Sequence, residues 1–415
     1  MLKTLPAANT LRDRSARAIV GAIADAAERW HDADFPPRVR AQAAIEARTG
    51  YSIPVIEYAL DRLFGSLTAR ALSAAIEAEV GSLDALDAPV AQRDGRFAYA
   101  RGVERAVIVG SDTTIGVALV PALYALIAKA RVVVKDRDDR LIGAFFETLV
   151  QEDMAFAEHA VAEVWHGGND PREARLFAGA QTIVVFGDDA TIEAVRLGAS
   201  TATRVIAFGH RASAGYVRRD DLAVPDLMDR IARDALLYDG SGCMSLHLLF
   251  VESGGDVSVS DFAQLLGAAL ERVAIEFPPG MLAAGRAASY AAARDLAAFR
   301  AASGHGTVVT APAARATLIV DPPRTAPPPL AARIVPVFPV ATPAEAAEYL
   351  RAQHLPLEAL AIADAGHYSS LSEVALAGGA VRITRFGEMQ APPAGAHHGG
   401  EPCIMHFIRW MDVER

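Results

Sequence analysis

Apolar residues recur at helical spacing through the first hundred positions. Ile19, Ala22, Ile23, Ala26 and Trp30 share one helix face, and Val55, Tyr58, Ala59 and Leu63 repeat the pattern before Gly65. From Arg105 the period changes. Short β-rich runs at 106–110, 131–135, 182–186 and 205–208 alternate with helical stretches at 114–129, 141–152 and 190–197. Strand, helix, strand in that rhythm predicts parallel βαβ units whose sheet is covered on both faces. A second α/β series follows, with strands at 247–252, 307–310, 316–320, 334–340 and 360–363 and helices at 260–276 and 344–352. A last strand-like run closes the chain at 406–413. The pattern describes two α/β lobes that part near Tyr238 to Gly242, with a ligand expected in the crevice between them.

The 415 residues are 52% hydrophobic and 22% charged, which excludes a disordered chain and fits a globular protein with large cores. Forty basic residues against fifty acidic ones leave a net charge of −10, and no long basic run offsets it, so nucleic acid is not an expected partner. Cys243 and Cys403 are the only cysteines, too few for a disulfide framework or a four-cysteine metal site, and such usage suits a reducing cytoplasm. Residues 1–17 carry scattered charges and no apolar core of a signal peptide. The most apolar stretch, 115–128, is interrupted by Gly116 and Pro121 and is too short to span a bilayer, so no transmembrane segment is expected.

Chemistry concentrates where a helix predicted at 227–237 runs into Tyr238-Asp239-Gly240-Ser241-Gly242-Cys243-Met244-Ser245 and then a strand. Glycines let backbone approach a ligand and turn amide N–H groups toward an anion. A cysteine there is either a nucleophile whose own N–H helps hold an oxyanion, or a buried inert thiol. A second segment, 107–116, reads strand, polar turn, helix start, and twenty residues on a strand ends in Lys135-Asp136-Arg137-Asp138-Asp139. Strand C-termini of a parallel sheet handle ribose and phosphate, yet neither G-x-G-x-x-G nor G-x-x-x-x-G-K-[ST] is present, and an ordinary βαβ unit with a solvated charge run explains the segment equally. At Phe186-Gly187-Asp188-Asp189 either aspartate can cap the following helix. The adjacent His397 and His398 cannot share a helical face and have no matching ligand set, so no metal site is expected.

Taken in order, these pieces resemble the aldehyde dehydrogenase superfamily, and within it the LuxC-type acyl-CoA reductases that supply fatty aldehyde in bacterial bioluminescence. The likeness runs from about Gly102 to Glu414. It rests on the strand ending at Lys135, Trp165-His166-Gly167-Gly168, Phe186-Gly187-Asp188-Asp189, Phe208-Gly209-His210-Arg211-Ala212-Ser213, the Cys243 loop, 354–362, Thr384-Arg385-Phe386-Gly387-Glu388-Met389-Gln390 and Ile408-Arg409-Trp410-Met411-Asp412.

The resemblance implies an α/β fold with a Rossmann-type cofactor lobe, an α/β catalytic lobe and a small oligomerisation strand extension. Mapped onto this chain, 1–100 becomes a helical region packed on the cofactor lobe, 101–237 the nicotinamide-binding domain, 238–385 the catalytic domain, and 386–415 a loop and oligomerisation strand. It places the nucleophile at Cys243, a lysine near the adenosine ribose at Lys135, the dinucleotide pyrophosphate beside Gly187 and Asp188, and the nicotinamide beside Gly209. NAD or NADP is the implied cofactor. The partners implied are an acyl-CoA or acyl carrier protein thioester and a second copy of the chain, paired through the terminal strand as a homodimer or larger homo-oligomer. Three departures stand out. Ala207 occupies the place of the glutamate that activates water in hydrolytic relatives, which favours a thiol acceptor over water. Ser111-Asp112-Thr113 replaces the turn that carries the oxyanion-binding asparagine, making Ser111 and Asp112 the candidates there; one lost donor costs about 3 kcal/mol of transition-state binding. Arg333 begins the run in which relatives carry a ribose-binding glutamate. The expected activity is NAD(P)H-dependent reduction of an acyl thioester to an aldehyde through an acyl-cysteine. A hydrolytic aldehyde dehydrogenase and a catalytically silent partner subunit are the competing expectations.

Overall fold

The computed structural model describes residues 10–92, 95–111, 113–165, 167, 171–322 and 330–414. Four helices come first: α1 (Ala16–His31), α2 (Pro36–Thr49), α3 (Ile53–Gly65) and α4 (Ala69–Val80). Ser15 caps α1 by accepting from the Ala18 amide, and Ile19, Val20, Ile23, Ala26, Ala27 and Trp30 form its buried stripe. Trp30 sits among Phe35, Phe64 and Phe145 and donates its indole N–H to Thr148 Oγ1 at 3.0 Å, docking the helices onto the first α/β lobe.

After a short hairpin, β1 (Val90–Ala91) and β2 (Phe97–Gly102), that lobe is built from β3 (Arg105–Val109), α5 (Leu119–Ile127), β4 (Arg131–Lys135), α6 (Leu141–Glu152), β5 (Ala160–Glu163), α7 (Pro171–Ala178), β6 (Thr182–Phe186), α8 (Asp189–Gly198) and β7 (Arg204–Phe208). The five strands are all parallel, in the order β5-β4-β3-β6-β7. Alternate residues serve opposite faces: Val107, Val109, Ile183, Val185, Val205 and Ala207 pack with Phe177, Ile192 and Val195 of α7 and α8. Ala106, Ile108, Val184, Phe186, Ile206 and Phe208 face the main core. The order reverses between β3 and β6, so the crevice beyond their C-terminal ends is the expected ligand site.

The second lobe comprises β8 (Ala212–Val217), α9 (Leu227–Leu236), β9 (Leu248–Glu252), α10 (Val259–Glu276), α11 (Ala284–Ala302), β10 (Thr307–Ala311), β11 (Ala316–Val320), β12 (Ile334–Val340), α12 (Pro343–Gln353), β13 (Leu357–Ile362), α13 (Tyr368–Ala377) and β14 (Arg382–Arg385). Its sheet runs β10-β11-β12-β9-β8-β13-β14, parallel except for the antiparallel edge pair β10 and β11.

Strand β8 moves the division between the lobes. The sequence reading ends the first lobe at 237, yet β8 pairs with β9 and β13, and α9 packs on α10, so the two sheets part at Gly209 to Arg211. The reason is composition. Ala212-Ser213-Ala214-Gly215-Tyr216-Val217 is too small and polar to read as a strand, but it is buried at every position in the middle of a sheet. Gly215 has to lack a side chain, because a Cβ there would lie 2.6 Å from the Phe386 ring and 2.8 Å from Leu249.

The last strand, β15 (Ile408–Val413), pairs antiparallel with β2 of the same chain, forming a three-stranded sheet β1-β2-β15. Its other edge has no strand partner among the described residues. No described helix is long and apolar enough to cross a membrane.

Candidate active site

The loop that delivers Cys243 is made by backbone strain held under charge. Past α9 the chain places Tyr238, Asp239 and Gly240 in succession at φ of 56°, 52° and 66°. Two consecutive non-glycine residues in the left-handed region are costly and persist only where surroundings enforce them. Here Asp239 Oδ1 accepts from Arg333 Nε at 2.9 Å and Nη2 at 2.8 Å, with each side chain only 5% exposed. Arg333 is itself at φ 60°, donates its amide to the Asp239 carbonyl at 3.1 Å, and reaches the Gly280 carbonyl. Tyr238 lies edge-on to Tyr51 at 5.6 Å. Arg333, at the run to which the resemblance assigned no ribose-binding glutamate, is spent on holding the Cys243 loop.

The turn itself is pinned at four points. The Gly242 amide donates to Ser245 Oγ, which also accepts from Gln390 Nε2 at 2.8 Å, and the Ser245 amide returns to the Gly242 carbonyl. Ser213 Oγ donates to the Cys243 carbonyl at 2.8 Å and accepts the Ala359 amide at 3.1 Å, bracing the loop against β13. Cys243 is half-buried. Burial first, and then the Glu358 carboxylate, push its thiol up to about 12; its own amide, that of Met244 and Arg211 pull the other way. Burial and the carboxylate both favour the thiol over the thiolate.

Two cavities meet at this loop. A cleft of about 790 Å³ brings Ser111, Gly187, Asp188, Gly209 and Cys243 together, along with Arg137, Arg211 and His247. A second cavity, about 810 Å³, lies on the Met244 side and is lined by Ile115, Val117, Val120, Tyr124, Val184 and other mostly apolar groups. Thr114, Val117, Phe186, Phe208, Glu358 and His398 line both. Ser111 reaches the cleft only, whereas Thr114 presents a hydroxyl candidate at the junction. Asp112 lies outside the described residues.

The remaining predicted positions divide. Gly187 follows β6, where a Cβ would stand 2.8 Å from the Thr191 side chain, so only glycine leaves the first turn of α8 open to the cleft. Asp188 accepts the Thr191 amide at 2.8 Å as the helix cap, and those bonds hold its carboxyl below the usual range. Lys135 does not line the cleft: buried at the end of β4, it pairs with Glu173 at 3.1 Å and lies over the Trp165 ring. Ala207 lines neither cavity and packs into the cluster beneath α7 and α8.

Sequence reasoning missed Glu358 and did not connect His398 with it. Glu358 is 4% exposed, and His398 stands over Phe208 at 4.7 Å and Phe186 at 5.4 Å. The available signal was a lone glutamate in the otherwise apolar run Leu357-Glu358-Ala359-Leu360-Ala361-Ile362. No group of metal-ligating side chains occurs among the described residues.

A Rossmann-type lobe, a second α/β lobe and a lone cysteine on a glycine-rich loop between them define the aldehyde dehydrogenase fold. Solved structures agree over almost the whole chain. The NAD-dependent benzaldehyde dehydrogenase of Corynebacterium glutamicum superposes with a TM-score of 0.68 at 13% identity, covering 98% of this chain and 87% of its own. The succinic semialdehyde dehydrogenase of Streptococcus pyogenes, in complex with NADP+, gives 0.71 at 12% identity, covering 98% and 90%. The NADP-dependent glyceraldehyde-3-phosphate dehydrogenase of Bacillus halodurans C-125, complexed with NADP, gives 0.70 at 13%, covering 97% and 85%. No curated protein sequence matches the chain. The particular family follows from the sequence profile of the acyl-CoA reductases (LuxC), which matches residues 11–410; the chain belongs to that family and is an oxidoreductase.

Removing one partner of a buried ion pair costs about 3–5 kcal/mol. Arg333→Met should lose that much stability in urea unfolding, and the double variant Asp239→Asn, Arg333→Met should recover part of it. A single variant as stable as wild type would show that the pair does not hold the loop.

Proposed function

We propose that the protein reduces an acyl thioester to an aldehyde with NADPH or NADH, through an acyl-cysteine at Cys243. The observation that carries this is the position of the Cys243 loop as the wall between two cavities, a cleft beneath the Rossmann-type strand ends and a mostly apolar chamber for an acyl chain. Cys243 attacks the thioester carbonyl, and its own amide together with the hydroxyl of Thr114 or Ser111 would hold the developing charge. The carrier thiol leaves, and the acyl group stays on sulfur. A bound nicotinamide would supply the hydride. The residues suited to hold it are Gly187 and the first turn of α8, with Gly209 after β7; a side chain at Gly187 would fill that cradle. The cofactors named for the neighbouring dehydrogenases support this reading.

Hydrolysis is the less supported alternative, because the strand position that carries the water-activating glutamate in relatives holds Ala207, turned away from both cavities. Among the charges after β4, Asp136 accepts the Gly143 and Arg137 amides, and Asp139 pairs with Arg48 and accepts the Leu141 amide, while Arg137 lines the cleft. Asp138 is exposed, Asp188 lines the same cleft and Arg137 also donates to the Gly110 carbonyl, so these charges favour neither NAD nor NADP over the other. The free edge of β15, with Trp410 and Met411 39% and 40% exposed, supports a homodimer joined there.

Incubation with acyl-CoAs from acetyl to hexadecanoyl, read by intact-protein mass, should give an adduct on the wild type and none on Cys243→Ala; aldehyde formation should depend on reduced cofactor. Full reductase activity in Cys243→Ala, or free acid formed from aldehyde without CoA at a matching rate, would refute the reading. Fluorescence titration should show saturable binding of NADH or NADPH, and binding of neither would remove the proposed cofactor. Sedimentation velocity should show a dimer, and a monomer at micromolar concentration would remove the proposed interface.

A further inference from the structure

Glu358 is a buried carboxylate that the reaction as described does not use. It stands on β13, is 4% exposed, and lines both cavities where they meet. Oε1 accepts the Gly399 amide at 3.0 Å and faces His398 Nδ1 at 3.6 Å. Oε2 has no hydrogen-bond partner among the described residues and lies 3.7 Å from Arg211 Nη1, beyond a hydrogen bond. A buried carboxylate oxygen left unbonded is costly and calls for a proton or a ligand. Its strand is tied to the Cys243 loop by two hydrogen bonds. Ser213 joins the Cys243 carbonyl to the amide of Ala359, the residue next to Glu358.

We propose that Glu358 is the proton carrier for acylation of Cys243, an inference that rests on the acyl-thioester reading above. As the bond from Cys243 sulfur to the acyl carbon forms, Glu358 takes the thiol proton. As the thioester carbon–sulfur bond breaks, Glu358 returns that proton to the sulfur of the departing carrier. No electrons change hands in this half-reaction, and the carboxylate ends as it began. The carboxylate thus comes from β13 of the catalytic lobe rather than from β7, where Ala207 provides none. Around it stand Arg211 from the β7–β8 turn and His398 and the Gly399 amide from the C-terminal segment, while Cys243 shares the cleft with it and Arg382 of β14 shares the second cavity. Burial holds His398 below the ordinary histidine range, and its Nδ1 stands 3.6 Å from Oε1.

The test measures acylation alone, by rapid quench and intact-protein mass with acetyl-, octanoyl- and hexadecanoyl-CoA and no cofactor, on wild type, Glu358→Gln, Glu358→Asp and Cys243→Ala. General acid–base groups contribute about 10²–10⁴-fold, so Glu358→Gln should acylate at least about 100-fold more slowly, with Glu358→Asp recovering part of the rate. The wild-type rate should rise with pH to a plateau below pH 8. In Glu358→Gln it should instead keep rising with thiol ionisation above pH 9, and thermal melts should show both variants folded. Wild-type acylation kinetics in a folded Glu358→Gln would overturn the inference while leaving the acyl-thioester reading standing. So would a variant that acylates normally but no longer releases free acid, since that would assign the carboxylate to water. A wild type that takes no acyl group from any of the three thioesters would overturn both.

Discussion

Two opposite charges, each 5% exposed, face one another at 2.8 Å between Asp239 and Arg333, and both residues are in left-handed backbone conformations. Such a pair repays its desolvation only where the geometry is good and further bonds satisfy the remaining groups. Here the Gly280 amide and carbonyl, the Asp239 carbonyl and the Arg333 amide supply those bonds. The ion pair therefore ties the connection between α9 and β9 to the start of β12, and the strained turn it holds is what aims Cys243 into the cleft. The clamp and the Cys243 turn are one construction.

That construction sets the electrostatics of the thiol. A cysteine carried on a turn between two cavities is surrounded by low-dielectric walls, and Glu358 adds a negative charge nearby, so the thiolate is disfavoured at rest.

The C-terminal segment closes the site from the far side. Asp234, fully buried on α9, accepts the amides of Gly387 and Met389, and burial pushes its carboxyl up to about 7. Gln390 reaches the nucleophile turn through Ser245, and Glu79 of α4 accepts the amides of Cys403, Ile404 and Met405. Between those anchors His398 comes to rest on Phe186 and Phe208, so residues nearly 200 positions apart share one wall.

How much of this was legible follows from what kind of information each feature carries. Periodicity is local, so α1, α6, α10 and the apolar strands β3, β4, β6, β7, β9 and β12 could be read directly, and the motifs in order resembled the family to which the chain belongs. Strand β8 could not, because its small residues answer to the Phe386 ring, 171 positions away. Lys135 was legible as a charge at a strand end but not as the partner of Glu173, and Arg333 not as the partner of Asp239, since a charge in a sequence does not name what it faces. Glu358 shows the limit most clearly. One glutamate in an apolar strand reads as an irregularity until the fold packs β13 beside the Cys243 loop and leaves Oε2 without a bond. The sequence by itself determined the candidate chemistry at Cys243 and the segments with strong periodicity; only tertiary structure decided which residues meet, because that depends on packing between segments that no local pattern encodes.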